Sequence, residues 1–147
     1  MKGGKLLRET TADELTKKLS DDGLVKIILY KLSSGEKVAL TVTGNSMKPF
    51  LEDGRDKAVL QKIEKEPKKG DVVFYRRKNG AYVLHRVVRK KGEKFYFSGD
   101  AQTRVEGPVE KNQLLAVCKE VERNGKTFSN KSLLWLSYKL RFFKTKR

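Results

Sequence analysis

Residues 38–49 read Val-Ala-Leu-Thr-Val-Thr-Gly-Asn-Ser-Met-Lys-Pro and contain the first change from helical to strand spacing along the chain. The first six alternate large apolar side chains with small or polar ones, which is the spacing of a β-strand. Gly44 and Asn45 then break the strand, and Pro49 keeps the residue before it extended. Ser46 therefore follows a sharp strand exit, where its hydroxyl could be exposed. All four residue types are also ordinary turn formers, so this stretch alone indicates only a strand and a turn.

Further short strands with intervening turns follow along the chain. Asn79-Gly80 is the strongest short hairpin signal in the sequence, and residues 99–108 are predicted to form a loop. Several strands at this spacing indicate an antiparallel sheet or a small barrel. The predicted strands are Lys57–Ile63, Asp71–Arg76, Ala81–Arg89, Lys94–Ser98 and Leu114–Glu122.

Helical spacing is confined to the two ends of the chain. Thr11 and Glu14 have the capping-box spacing of a helix start, whereas Leu24–Leu32 fits either a second helix or a strand. Ser129–Arg147 has apolar residues at helical spacing and cations clustered late, as in a short basic amphipathic helix. We therefore predict one mainly β, antiparallel domain with short terminal helices. Its predicted parts are an N-terminal helical extension (1–36), the β domain (37–126) and the C-terminal helix (127–147).

The composition limits the classes of function. The chain has 34 Lys and Arg against 18 Asp and Glu over 147 residues, a formal charge of +16, which suggests nucleic acid or an anionic membrane as partner. The excess lies in residues 61–98 and 119–147, whereas residues 99–118 are close to neutral. No recognition helix, zinc finger or aromatic RNA-binding motif is present, which argues against nucleic acid.

Other classes are excluded by what the sequence lacks. Its single cysteine, Cys118, excludes a disulfide framework, and its single histidine, His85, excludes a multi-histidine metal site. We predict no metal and no cofactor. No apolar stretch approaches the roughly 20 residues of a membrane span, and no secretory signal is recognised at the start. The expected location is the cytoplasm. Whether the protein also attaches to a membrane surface is left open by the sequence.

His85 and Asp100 give Ser46 a chemical context. A serine is a useful nucleophile only when a base takes its proton, and neutral imidazole is the common base at pH 7. A carboxylate can fix the imidazole tautomer and stabilise the imidazolium, and Asp100 follows the predicted strand Lys94–Ser98. Each residue alone has a plain structural interpretation: a turn, a histidine in a hairpin, and an aspartate turn.

Four blocks in order carry a family resemblance. They are Gly44-Asn45-Ser46-Met47-Lys48-Pro49, Gly70-Asp71-Val72-Val73-Phe74, Leu84-His85-Arg86-Val87 and Phe97-Ser98-Gly99-Asp100. Together they resemble the S24/S26 serine peptidases, the group of the type I signal peptidases and the self-cleaving SOS repressors. Histidine in place of the lysine base of many members is most similar to the endoplasmic-reticulum type of signal peptidase.

The resemblance implies Ser46 as nucleophile, His85 as general base, and the Ser46 backbone N–H as part of the oxyanion hole. By position the orienting carboxylate would be Glu106, and by residue type Asp100, so both are candidates. Gly44 stands where some relatives carry a serine hydroxyl, which leaves only backbone donors there. The resemblance also implies that the residues flanking the nucleophile, Gly44, Asn45, Met47 and Pro49, bind substrate.

These observations predict a serine endopeptidase that cleaves a peptide or protein segment through an acyl-enzyme. The alternative is a non-catalytic, regulatory peptide-binding module on the same scaffold, and nucleic-acid binding ranks below both. The C-terminal helix either lies on an anionic membrane surface or packs on the sheet with its cations in water. The sequence does not determine the substrate or the oligomeric state.

Overall fold

A computed structural model describes residues 22–145, and one continuous antiparallel sheet dominates it. The strands lie in the order β1-β2-β7-β3-β4-β5-β6, and β8 pairs with β7. The mainly β class with a helix near each end is confirmed. In chain order the elements are α1 (Asp22–Ser33), β1 (Val38–Thr41), β2 (Asp56–Gln61), β3 (Val72–Arg76), β4 (Tyr82–Lys91), β5 (Lys94–Ser98), β6 (Glu106–Glu110), a 3₁₀ turn (Lys111–Gln113), β7 (Leu114–Arg123), β8 (Lys126–Ser129) and α2 (Leu133–Thr145).

The structure corrects several sequence-based boundaries. The ambiguous segment Leu24–Leu32 is helical, and the predicted loop 99–108 ends early because β6 begins at Glu106. β6 contains Pro108, which a strand tolerates at a sheet edge, where the missing N–H breaks no ladder bond. The first part of the expected C-terminal helical segment is the short strand β8, which pairs with β7. The helix predicted from Thr11 lies outside the described residues.

The core is formed on both faces of the sheet. One cluster joins α1, the sheet and α2 through residues such as Ile28, Leu60 and Trp135. A second cluster on other strand positions includes Tyr75 and Phe97, whose rings stack 4.2 Å apart. Because β3 contributes to both clusters, its first four residues are all buried and read as a continuous apolar run.

A buried ionic network anchors the segment between β1 and β2. Asp56 is 3% exposed and accepts hydrogen bonds from Arg55 and Arg123. The same two arginines donate to the backbone carbonyl of Phe50, and Arg55 also donates to that of Pro49. Burial acts to raise the pKa of Asp56, but the two guanidinium groups outweigh it and lower the pKa. The chain that leaves β1 is therefore tied to β2 and β7.

Candidate active site

Ser46 lies in the turn of residues 46–50 that follows β1, and it is half-buried. Gly44 reverses the chain with a φ of 77°, a conformation that glycine adopts at little cost. The loop after β5 contacts the same turn, since the Ala101 N–H donates to the Ser46 carbonyl at 2.9 Å. A Cβ at Gly99 would overlap that carbonyl. Glycine at residue 99 therefore permits the contact that fixes the backbone of Ser46.

His85 lies in β4 opposite Val73 of β3 and is 4% exposed. Its Nδ1 is buried and has no hydrogen-bond partner among the described residues. The carboxylate oxygen Oε1 of Glu106 lies 3.9 Å from Nδ1. This separation is longer than a hydrogen bond. The imidazole is thus buried beside a carboxylate that does not yet orient it.

Glu106 opens β6, where a bidentate ion pair holds its carboxylate. Arg77 donates from Nε to Oε2 at 3.0 Å and from Nη2 to Oε1 at 2.8 Å. The oxygen that faces His85 is therefore the one that Arg77 Nη2 already binds. Burial acts to raise the pKa of Glu106, but the hydrogen bonds from Arg77 outweigh it and the pKa is lowered. Glu106 is consequently anionic at neutral pH.

Burial dominates the protonation of His85 and lowers its pKa to about 4. The carboxylate of Glu106 opposes this change, and the positive charge of Arg77 adds to it. Neutral imidazole is the form that can accept a proton, so His85 is in the correct state for a base at pH 7. Its low basicity is the result of burial and of the neighbouring Arg77 cation.

Asp100, the other candidate carboxylate, pairs with Arg86 and not with His85. Arg86 is fully buried and donates to the two carboxylate oxygens of Asp100 at 2.9 and 2.8 Å. Neighbouring side chains of a strand point to opposite faces, so Arg86 carries Asp100 to the face of β4 away from His85. The structure therefore brings Glu106, and not Asp100, toward the histidine.

Ser46 and His85 line the same apolar cavity, whose volume is about 380 Å³. Its walls come from the end of β1, the start of β4 and buried side chains between them. Of the candidate substrate-binding residues, Met47 lines this cavity, and Pro49 lines a separate cleft beside α2. Gly44 and Asn45 are exposed in the turn. Other lining residues include Leu40, Val42, Leu51, Phe74 and Tyr82.

Sequence reasoning missed two residues of the site, Arg77 and Tyr75. In the sequence Arg77 stands between Arg76 and Lys78, just before the Asn79-Gly80 turn, and such a basic run does not indicate a particular partner. The Tyr75 hydroxyl is buried, and burial together with the Glu106 charge raises its pKa. An arginine directly after β3 is a weak signal, because the strand registers must be known before its partner can be named.

Cys118 does not compete with Ser46 as a nucleophile. It is buried in β7 and packs in the core cluster that joins the helices. Burial raises the pKa of its thiol to about 12, so the thiolate is not formed at neutral pH.

Within residues 22–145, neither helix combines the length and the apolar composition needed to span a bilayer.

Comparison with known proteins identifies the family. The model of the family described as Peptidase S24-like matches residues 10–121, which is most of the chain. No curated protein matches the chain significantly. The matched range includes the turn that contains Ser46, the strand that contains His85 and both candidate carboxylates. Because the family model covers well over half of the chain, this chain belongs to the Peptidase S24-like family.

Proposed function

We propose that the chain is a serine endopeptidase in which Ser46 is the nucleophile, His85 the general base and Glu106 the carboxylate that orients it. The observation that carries the proposal is that Ser46 and His85 line one apolar cavity while Glu106 lies 3.9 Å from the buried Nδ1. Membership of a peptidase family supports the reaction class.

In the proposed reaction Ser46 Oγ attacks the carbonyl carbon of the scissile peptide, and its proton moves to Nε2 of His85, the ring nitrogen that does not face Glu106. The tetrahedral oxyanion accepts a hydrogen bond from the Ser46 backbone N–H. The intermediate then collapses and expels the amine, which takes the proton from His85. Water, deprotonated by His85, hydrolyses the resulting ester and regenerates Ser46.

The outer edge of β1 is the surface on which we expect a peptide substrate to bind. This strand ends the sheet order and pairs only with β2 among the described strands, so its outer edge can pair with an extended peptide. Thr41, Val42 and Thr43 line the cavity beside Ser46. A peptide added along β1 would deliver its carbonyl groups toward Ser46 and its alternate side chains into the apolar cavity.

The arrangement also supports a second candidate, a peptide-binding module without turnover. The specific observation is the bidentate hold of Arg77 on Glu106, which leaves His85 Nδ1 without a hydrogen bond. For catalysis, Glu106 must approach His85 to hydrogen-bond distance while it keeps or shares its bond to Arg77. If it never does, the same groove still binds peptides.

Labelling with a serine-directed phosphonate separates the two candidates. We expect an adduct on Ser46 in the wild-type chain and no adduct in Ser46→Ala. The control variant, Ser137→Ala, removes an exposed serine of α2 and should be labelled as the wild type is. Cleavage of a peptide library, read by mass spectrometry, should follow the same pattern. A folded wild-type chain that is neither labelled nor active between acid and alkaline pH would overturn the peptidase proposal in favour of the binding module.

A further inference from the structure

The C-terminal helix α2 has two apolar faces, and only one of them packs on the protein. Trp135 and Phe142 are 4% and 1% exposed, and the Trp135 ring contacts Phe50 edge-on at 4.8 Å. On the opposite side of the helix Leu133 is 84% and Leu140 58% exposed. The aromatic face therefore holds α2 in place and leaves the other side uncovered.

The uncovered side is a continuous apolar strip. We call it the leucine face, and it consists of Leu133, Leu134, Leu136 and Leu140. These are four of the seven large apolar residues that are exposed within residues 22–145. Isolated exposed leucines are ordinary, but four on adjacent turns of one helix mark a surface that binds something apolar.

The charges around the leucine face indicate what that partner is. Residues 123–147 contain eight Lys or Arg and no Asp or Glu. Arg141 and Lys144 are exposed on the outer part of α2. Lys69 extends the positive charge from the neighbouring loop, with its Nζ 5.0 Å from the Phe143 ring centre. A partner with an apolar interior and an anionic surface fits this pattern.

We propose that the leucine face docks α2 on an anionic membrane surface, with the helix lying in the interface. Apolar side chains inserted between headgroups and cations at headgroup level are the two contributions that hold such helices. Nucleic acid would use the cations but would leave the leucines in water. A second copy of this chain would cover the leucines but would bring equal positive charges together.

The docked orientation would bear on the candidate active site. Phe50, which α2 contacts through Trp135, belongs to the same turn as Ser46. A cleft of about 450 Å³ separates α2 from the loops around residues 48–52 and 100–103. Docking through the leucine face would therefore place α2 between the membrane surface and the Ser46 turn, with the turn about one helix diameter, roughly 10 Å, from that surface.

The test is sedimentation of the full chain with phosphatidylcholine vesicles, with and without phosphatidylserine. We expect binding to the anionic vesicles, and a loss of about tenfold or more in Leu133→Ser/Leu136→Ser/Leu140→Ser. The matched control, Ile27→Ser/Tyr30→Ser, removes exposed apolar residues of α1 and should bind as wild type. Circular dichroism checks that each variant is folded.

A second pair of measurements separates lipid from the other partners. Arg141→Gln/Lys144→Gln should weaken partitioning by about twenty-fivefold, since each cation near an anionic surface contributes about fivefold. Ser46→Ala should bind vesicles as wild type, so the docking does not depend on the proposed peptidase activity. The proposal is overturned if the wild type does not bind anionic vesicles, or if the leucine variant binds as well as wild type. It is equally overturned if light scattering finds a wild-type dimer that the leucine substitutions dissociate.

Discussion

The protonation of His85 predicts a measurable loss of stability in mild acid. Its pKa is about 4 in the folded protein against an ordinary value of 6.5, because burial disfavours the imidazolium. Between these values the unfolded chain binds more protons than the folded one, so the free energy of unfolding falls as the pH falls. The difference corresponds to about 3 kcal/mol, since one pKa unit is worth about 1.4 kcal/mol. The loss begins near pH 6.5 and is complete by about pH 4.

Denaturant unfolding at a series of pH values measures this loss, with His85→Gln as the comparison. Carboxylates titrate in the same range in both proteins, so the difference between the two pH profiles isolates the histidine. The sequence contains one histidine, and its imidazole ¹H NMR signals therefore report the folded pKa directly. Parallel stability profiles, or an NMR midpoint near 6.5, would refute the inference that the base is held neutral by burial.

Two further predictions concern the ion pairs around the site. Arg77→Gln should raise the pKa of His85 measured by NMR, because it removes a cation that lowers this pKa and frees the opposing charge of Glu106. Asp56→Asn should lower the free energy of unfolding by about 3 kcal/mol, since it leaves two guanidinium groups without their buried carboxylate.

Each of these predictions has a matched control on the protein surface. Arg76→Gln changes the exposed neighbour of Arg77 and should leave the His85 titration unchanged; an unchanged titration in Arg77→Gln as well would contradict the first prediction. Glu110→Gln breaks the exposed pair with Lys94 and should cost less stability than Asp56→Asn. Equal losses would show that burial of the Asp56 network contributes nothing.

Local signals were sufficient for most of the sheet. Lys94–Ser98 was predicted with its observed bounds, and the Asn79-Gly80 turn correctly joined β3 to β4. β6 was missed because its Gly107-Pro108 pair reads as a loop, and only its position at the sheet edge makes proline compatible with a strand. Tertiary context decided that element, as it decided that Leu24–Leu32 is helical.

The candidate site was less accessible to sequence reasoning, because its partners depend on strand faces. Asp100 and Glu106 were both suitable by chemistry, and residue counting could not separate them. The alternation of β4 does so: His85 and Arg86 point to opposite faces, and the buried guanidinium of Arg86 takes Asp100. Arg77 could not be assigned to Glu106 from the sequence, because the two residues are 29 positions apart and meet only through the pairing of the strands between them.

The alternation of β4 also constrains how this chain can change. A single-residue deletion between the Asn79-Gly80 turn and His85 would move Arg86 into the place of His85 and bring a permanent cation into the candidate active site. A single-residue insertion there would move His85 into the place of Arg86 and put an imidazole where the buried ion pair stands. The length of this hairpin therefore affects the chemistry of the site, whereas residues 62–65 after β2, which are mostly exposed, can vary in number at a small entropic cost.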